Sequence, residues 1–287
     1  MTEALNTVFT GLLAFTVCLT ALSIGLATSG RTMRAAIRRP SLIFVVLANV
    51  ILVPAAGLAI VRLVPLSPDG EIGVLLCTMC AAGPFALKAT QVARGDLAWA
   101  LSLTVILLLL NVLALPLWTA LVFDRSLSVR AGDLFAVMVA VILLPAAIGA
   151  LLRRTLPGRS EGWVKPATDV SNLTLVAAIV VGVAGNLSPL AEALTSRILI
   201  AAGLIVVGAG VIGVALPSPT EVRRASTLVT LNRATSVALL VVAQSFPDRG
   251  EVLTTAIVFG LVQTIFALGV ALAWGRRAIV SVPAPVI

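Results

Sequence analysis

No histidine occurs anywhere in the 287 residues. Its absence excludes every catalytic arrangement built on an imidazole base, the Ser-His-Asp triad and its variants included. Charge is nearly as scarce: Asp, Glu, Lys and Arg make up 11% of the chain, against about 25% in a soluble domain. With 60% hydrophobic residues and a mean hydropathy of +1.13, no single aqueous core could hide the apolar surface, so the solvent must be lipid. Alternating apolar patterning is missing, and the long Leu/Ala/Val runs therefore read as helical spans rather than barrel strands. Cysteine is limited to three residues. Cys77 and Cys80 form a CxxC, but inside an apolar run, with no histidine and no second pair, so they read as small apolar packing groups rather than a zinc site. No basic residue precedes the first apolar run, which reads as a retained helix and not a signal peptide. The net charge is +8, yet no aromatic-basic patch accompanies it, and no nucleic-acid partner is expected.

What is present is a succession of apolar segments. A span needs about 20 residues, and nine segments qualify: roughly 6–28, 42–64, 71–92, 97–122, 133–152, 167–186, 196–215, 226–246 and 252–274. The final stretch, Val280 to Ile287, carries two prolines and reads as a frayed tail. Cytoplasmic loops collect Lys and Arg. With the N-terminus outside, the inside loops hold thirteen basic residues: Arg31, Arg34, Arg38, Arg39, Arg94, Arg153, Arg154, Arg159, Lys165, Arg223, Arg224, Arg276 and Arg277. The outside loops hold four, Arg125, Arg130, Arg197 and Arg249, beside most of the acids, among them Asp69, Glu71, Asp124, Asp133, Glu192, Asp248 and Glu251. The N-terminus is therefore expected outside and the C-terminus in the cytoplasm. The longest loops, Arg153–Pro166 and Asn186–Arg197, are too short to fold alone, so any chemistry lies between helices.

Two ionisable residues stand deep within spans, Lys88 in the third and Arg233 in the eighth. Arg62 is near a helix end and can snorkel, and Asp169 is about one turn into the sixth span. A charge at the centre of a helix costs about 2.5–3.5 kcal/mol on insertion scales and persists where it faces a cavity or a partner. Beside Lys88 stand Gly83 and Pro84. Proline lacks an N–H and clashes with the carbonyl four residues back, so a break is expected there. Broken backbone at membrane depth is tolerated only against protein or a watery cavity. The stretch Ser226–Ser236 of the eighth span is the most polar within any span; it is expected to be unwound too, although it lacks Gly and Pro. Comparable polar, broken helices in the two halves of a chain are the pointer to an inverted-repeat transporter.

These residues carry a resemblance. Gly25-Leu26, the basic loop ending Arg39-Pro40, Pro54, the run Gly83-Pro84-Phe85-Ala86-Leu87-Lys88 with Ala93-Arg94-Gly95-Asp96, and Thr230-Leu231-Asn232-Arg233 with Ala238–Ala243 together resemble the bile acid:sodium symporter superfamily over almost the whole chain. The resemblance implies core and panel domains with two broken helices crossing at the core's centre. It also implies ten helices in bacterial relatives, one more than the odd count read here. The chain departs from the pattern at the ion sites. Sodium-coupled members have a Ser-Asn pair where Ala86-Leu87 stand, followed here by Lys88, and a glutamate near the position of Leu228. The residues present thus lack the carboxylate a sodium site usually uses.

The resulting expectation is an all-α polytopic membrane protein of about nine transmembrane helices, with inverted-repeat core and panel domains and two broken crossing helices. Residues 1–287 form one transporter domain with halves of roughly 1–125 and 130–275. Its function is expected to be secondary transport of a small organic anion across the cell (inner) membrane by alternating access, coupled to sodium or protons. A membrane-embedded enzyme lacks its acid–base or metal residues, and a non-transporting sensor or subunit is the alternative. Lys88, Thr230, Asn232, Arg233, Thr235 and Ser236 are expected to bind the anion, with Lys88 and Arg233 supplying the charge that sodium supplies elsewhere. Gly83 and Pro84 set the first break. No metal or other cofactor is expected; sodium is the ion the resemblance would bring and the residues do not favour.

Overall fold

The computed structural model describes residues 3–123, 131–187, 190, 194, 197–216 and 218–280. Asp124, Arg125, Arg130, Glu192 and the tail from 281 onward lie outside the described residues. Among those described there is no strand. The helices are α1 (Glu3–Ala27), α2 (Gly30–Ile37), α3 (Ser41–Leu63), α4 (Pro68–Met79), α5 (Phe85–Val92), α6 (Leu97–Val122), α7 (Gly132–Thr155), α8 (Pro157–Ala184), α9 (Arg197–Ala215), α10 (Thr220–Leu231), α11 (Thr235–Ser245) and α12 (Gly250–Val280). Eight described stretches are long and apolar enough to cross a bilayer, with α10 and α11 counted together. The remaining expected span, 71–92, is α4 and α5; Cys80–Pro84 interrupts it, so neither half meets that length.

Helix ends follow from local chemistry. Ser29 caps α2 by accepting from the Thr32 N–H, Ser67 caps α4 by accepting from Gly70, and Asp96 caps α6 by accepting from Trp99 at 2.9 Å. Pro68 and Pro157 sit in the first turns of α4 and α8, where a missing N–H costs nothing. The second of these corrects the loop expected over 153–166. Pro157 starts α8 ten residues before the apolar run does, and the polar first turns are held by Arg153–Glu161 and Lys165–Asp169 ion pairs at 2.5 and 2.7 Å.

Two packing groups are visible. In the first, α1 lies against α7 and α8. Thr16 donates to Thr174 at 2.8 Å, and the Thr20 and Ser171 hydroxyls share a 2.6 Å bond between α1 and α8. The α1–α7 crossing is backbone on backbone: a Cβ on Gly25 would collide with the Ala146 carbonyl oxygen, and one on Gly149 with that of Leu22. The second group is α3–α6 with α9–α12, and it encloses the most polar span. Of the apolar stretch in α10–α11, 94% is buried, against 17% in α8. Polarity in that span is thus turned inward, as intramembrane polar side chains require.

One distortion matters for the site. Pro54 has no N–H for the Val50 carbonyl, and α3 answers with a π turn over Ala48–Leu52. The Val53 N–H then reaches Ala48, five residues back, rather than Asn49. Two carbonyls are left free, Asn49 and Val50. Trp118 Nε1 of α6 donates to Val50 at 2.7 Å.

Candidate functional site at the crossing of two broken helices

The helix formed by α4 and α5 breaks over Cys80–Pro84, where Cys80 is extended and Ala82 has φ 55°. That left-handed conformation is uncommon for a residue with a Cβ and is held by its surroundings. The helix formed by α10 and α11 opens over Asn232–Ala234. The two openings lie against each other. The Gly83 N–H donates to the Asn232 carbonyl at 2.8 Å, and the Ala234 N–H donates to the Cys80 carbonyl at 2.9 Å. A Cβ on Gly83 would collide with Asn232 Oδ1 and stand 2.6 Å from the Arg233 carbonyl oxygen, so only glycine permits this approach.

One residue of each opening is clamped by a side-chain amide on a neighbouring helix. Asn111 of α6 accepts from the Ala81 N–H at 3.0 Å and donates to the Ala81 carbonyl at 2.7 Å. Gln263 of α12 accepts from the Arg233 N–H and donates to the Arg233 carbonyl, both at 2.9 Å. Each amide stands 30 residues after the residue it holds. These bonds replace the intrahelical ones, which is how α10 and α11 can open without Gly or Pro.

The Arg233 guanidinium is 1% exposed and turns away from the openings into α3 and α4. Its Nη1 donates to Asn49 Oδ1 at 3.0 Å, and its Nη2 donates to the Asn49 carbonyl at 3.1 Å and the Thr78 carbonyl at 2.5 Å. The Asn49 carbonyl is one of the two that the π turn frees. The Thr78 carbonyl lies in the last turn of α4, at the negative end of its dipole. Asn49 Nδ2 in turn donates to Thr230 Oγ1 at 2.9 Å. Among the described residues no carboxylate is paired with this cation, and no group of three metal-ligating acids, cysteines or histidines exists.

On the other face of the crossing lies a cavity of about 310 Å³ lined by α5, α8, α11 and α12. Pro84, Asn232, Arg233, Thr235 and Ser236 line it, with Phe85, Gln263 and Asn172. Thr235 Oγ1 accepts from Gln263 Nε2 at 2.6 Å. Asn172 Nδ2 and Asn232 Nδ2 are buried donors without a hydrogen-bond partner. Of the expected site residues, Thr230 is fully buried within the Arg233 network and does not line the cavity, and Gly83 sits behind it in the contact between the openings. Lys88 is exposed, one turn beyond Phe85, within electrostatic reach of Asp169 on α8. The crossing, the break at Gly83-Pro84 and four of the expected polar residues thus come together, and Lys88 stands apart from them. Asn49, Asn111, Asn172 and Gln263 were not singled out from the sequence. Their signal was available: each is an amide within a membrane span, and such groups find partners or mark pathways.

A multi-pass helical protein with two broken helices crossing beside a cavity has the form of a membrane transporter. The chain belongs to the Sodium Bile acid symporter family, whose profile it matches over residues 14–193. It is 27% identical over 193 residues to a probable sodium/metabolite cotransporter, BASS2, chloroplastic, of Oryza sativa subsp. japonica, covering 67% of this chain and 46% of the relative. It is 25% identical over 181 residues to an uncharacterized sodium-dependent transporter, YocS, of Bacillus subtilis (strain 168), covering 63% of this chain and 54% of that one. A probable sodium/metabolite cotransporter, BASS1, chloroplastic, of Arabidopsis thaliana is 27% identical over 137 residues, with 47% and 34% covered. The matched regions span about half or less of these relatives' own lengths.

Proposed function

We propose that the protein is a secondary active transporter of a small organic anion, working by alternating access in the cell membrane with its arginine-rich end in the cytoplasm. The observation that carries the substrate class is the pair of buried, unpartnered amide donors, Asn172 Nδ2 and Asn232 Nδ2, on two residues that line one cavity. A buried donor without a partner costs about 1–3 kcal/mol, which a ligand bearing acceptor oxygens would recover. Ser236 and Thr235 add hydroxyls to the same wall. Asn172 comes from α8, in the group of α1 and α7, and Asn232 from the crossing, so the ligand would bridge two bodies able to rock against each other. Lys88, at the approach to the cavity, would draw the anion in.

The two halves would be inverted repeats. Arg233 stands 152 residues after Ala81, and Gln263 152 after Asn111; the same offset carries α4 (Pro68–Met79) onto α10 (Thr220–Leu231). The relatives' printed names associate them with sodium. Here Arg233 is a permanent cation on main-chain oxygens at the crossing, so uptake is expected to run without a sodium gradient, with a proton gradient as the driving force. The test is uptake of small carboxylates and sulfonates into proteoliposomes under a sodium gradient, a proton gradient or neither. Accumulation of no anion under any gradient overturns the transport reading. Accumulation that requires sodium overturns the coupling alone.

A further inference from the structure

On the outer face of the second packing group, α9, α10 and α12 leave a groove that transport does not use. Its walls are single helix faces: Val207, Gly210 and Val214 on α9; Thr220, Arg223, Thr227 and Leu231 on α10; Phe266, Val270 and Trp274 on α12. Two cavities make it up and share Val214 and Trp274. An apolar trough of about 390 Å³ runs from Val207 and Leu231 to Trp274, and a pocket of about 350 Å³ continues from there past Thr220, Arg223 and Arg224. Gly210 lines the trough opposite Leu231, where an added Cβ would stand at ordinary contact distance, 3.5 Å, from Leu231 Cδ1.

The two ends differ in chemistry. Arg223 is exposed and has no partner among the described residues, while Arg224 Nη1 donates to the Ala93 carbonyl at 3.1 Å. Thr220 opens α10, whose cap, Pro219, supplies no side-chain bond to the first-turn N–H groups, so the mouth has the helix dipole's positive end as well. Glu221 is the next residue on α10, about 100° around the helix from Thr220, and is not among the lining residues. From Val207 to Ala215 the trough follows eight residues of rise, about 12 Å, close to the hydrocarbon depth of one leaflet. Trp274 sits where the apolar part meets the basic part, as indoles do at the headgroup level.

The structure assigns this groove to one anionic phospholipid of the leaflet on the arginine-rich side, its phosphate between Arg223 and the start of α10 and one acyl chain along Gly210, Val214 and Val270. Charge complementarity at one end and apolar length at the other select this occupant over a zwitterionic lipid, a soluble phosphate or a second protein chain. The assignment requires only that the chain lies in a bilayer and is independent of the transport reading. A lipid seated there would brace α10 against α9 and α12, next to the opening at Asn232.

The experiment uses the full chain in nanodiscs of phosphatidylcholine doped with acyl-brominated phosphatidylglycerol, reading quenching of tryptophan fluorescence. A saturable quenching component at low mole fraction is expected, absent in Trp274→Phe and in Gly210→Leu, which fills the trough. Arg223→Gln should raise the half-saturating fraction about five-fold. Equal quenching by brominated phosphatidylcholine, or an Arg223→Gln curve that overlays the native one, overturns the assignment. So does competition by soluble glycerol phosphate as strong as that by the lipid, or a dimer by native mass whose contact closes the groove. Trp274→Phe and Arg223→Gln leave packing nearly unchanged, so misfolding would not mimic the result.

Discussion

Truncating Arg233 to alanine removes a buried cation and orphans three acceptors at once, Asn49 Oδ1, the Asn49 carbonyl and the Thr78 carbonyl. The lower bound on the loss comes from hydrogen bonds between helices in bilayers, about 0.6 kcal/mol each and so about 2 kcal/mol for three. The upper bound comes from orphaning: a buried acceptor left bare costs about 1–3 kcal/mol, although the relieved desolvation of the guanidinium offsets part of it, giving about 5 kcal/mol. At roughly 2–4 °C per kcal/mol the melting temperature in detergent should fall by roughly 4–20 °C. The vacated space has the shape of a guanidinium and is lined by oxygens. Millimolar methylguanidinium should therefore raise the melting temperature of Arg233→Ala while leaving the native protein unchanged. Choline, which cannot donate hydrogen bonds, should do nothing. In proteoliposomes the same additive should restore part of the lost uptake. Arg233→Lys should lie between, because an ammonium cannot fork onto Asn49 and Thr78 together. An unshifted melting temperature in Arg233→Ala would refute the role of these bonds, and equal methylguanidinium shifts in variant and native protein would refute the oxygen-lined seat.

Gly83→Ala should abolish uptake and lower thermal stability, since its Cβ would strike Asn232 Oδ1 and crowd the Arg233 carbonyl; overpacking of this kind costs about 1–3 kcal/mol, and an unchanged uptake rate would count against the crossing as the working site. Asn172→Asp replaces a donor with a like charge and should raise KM for an anion more than ten-fold, whereas an unchanged KM removes Asn172 from the site. Lys88→Ala should raise KM with kcat nearly unchanged, because Lys88 stands outside the cavity; a fall in kcat alone would contradict that placement. Gly149→Leu, which would wedge α1 from α7, should lower stability by several degrees in a thermal melt and leave the crossing's arginine seat responsive to the methylguanidinium test in the Arg233→Ala background.

Much of this was legible in the chain before its coordinates. Charge scarcity and span length identify a helical membrane protein, and Gly83-Pro84 marks one opening because proline and glycine act locally. The opening at Asn232–Ala234 was readable only as polarity, since its cause is Gln263, 30 residues further along. The role of Arg233 was partly legible. Its depth in an apolar span signals function, but its direction depends on a carbonyl freed by Pro54, about 180 residues earlier in the chain. No periodicity or propensity reports where such a side chain points. Lys88 shows the converse: it lies in an apolar sequence yet on an exposed face, because α5 is only eight residues long and one of its sides is open.

The placement of satisfied and unsatisfied polar atoms bears on how the protein could move. Within the crossing the hydrogen-bond donors and acceptors are paired largely among α3, α4, α6, α10 and α12: the openings with each other, Ala81 with Asn111, Arg233 with Gln263, Asn49 and Thr78. Those bonds make the crossing a unit that resists internal distortion. Between that unit and α8 the cavity wall is mostly apolar, with Leu175, Val176 and Ile179 facing Leu239 and Ile257, and the polar atoms at the boundary, Asn172 Nδ2 and Asn232 Nδ2, are unpaired. Sliding α8 along the crossing therefore breaks no hydrogen bond among the described residues at this boundary and exchanges one set of apolar contacts for another. A ligand with acceptor oxygens would change that by bonding to both amides, tying the two bodies together where they were free. Binding energy would then favour whichever arrangement brings Asn172 and Asn232 to the same anion, which is the differential affinity a substrate needs in order to shift a conformational equilibrium.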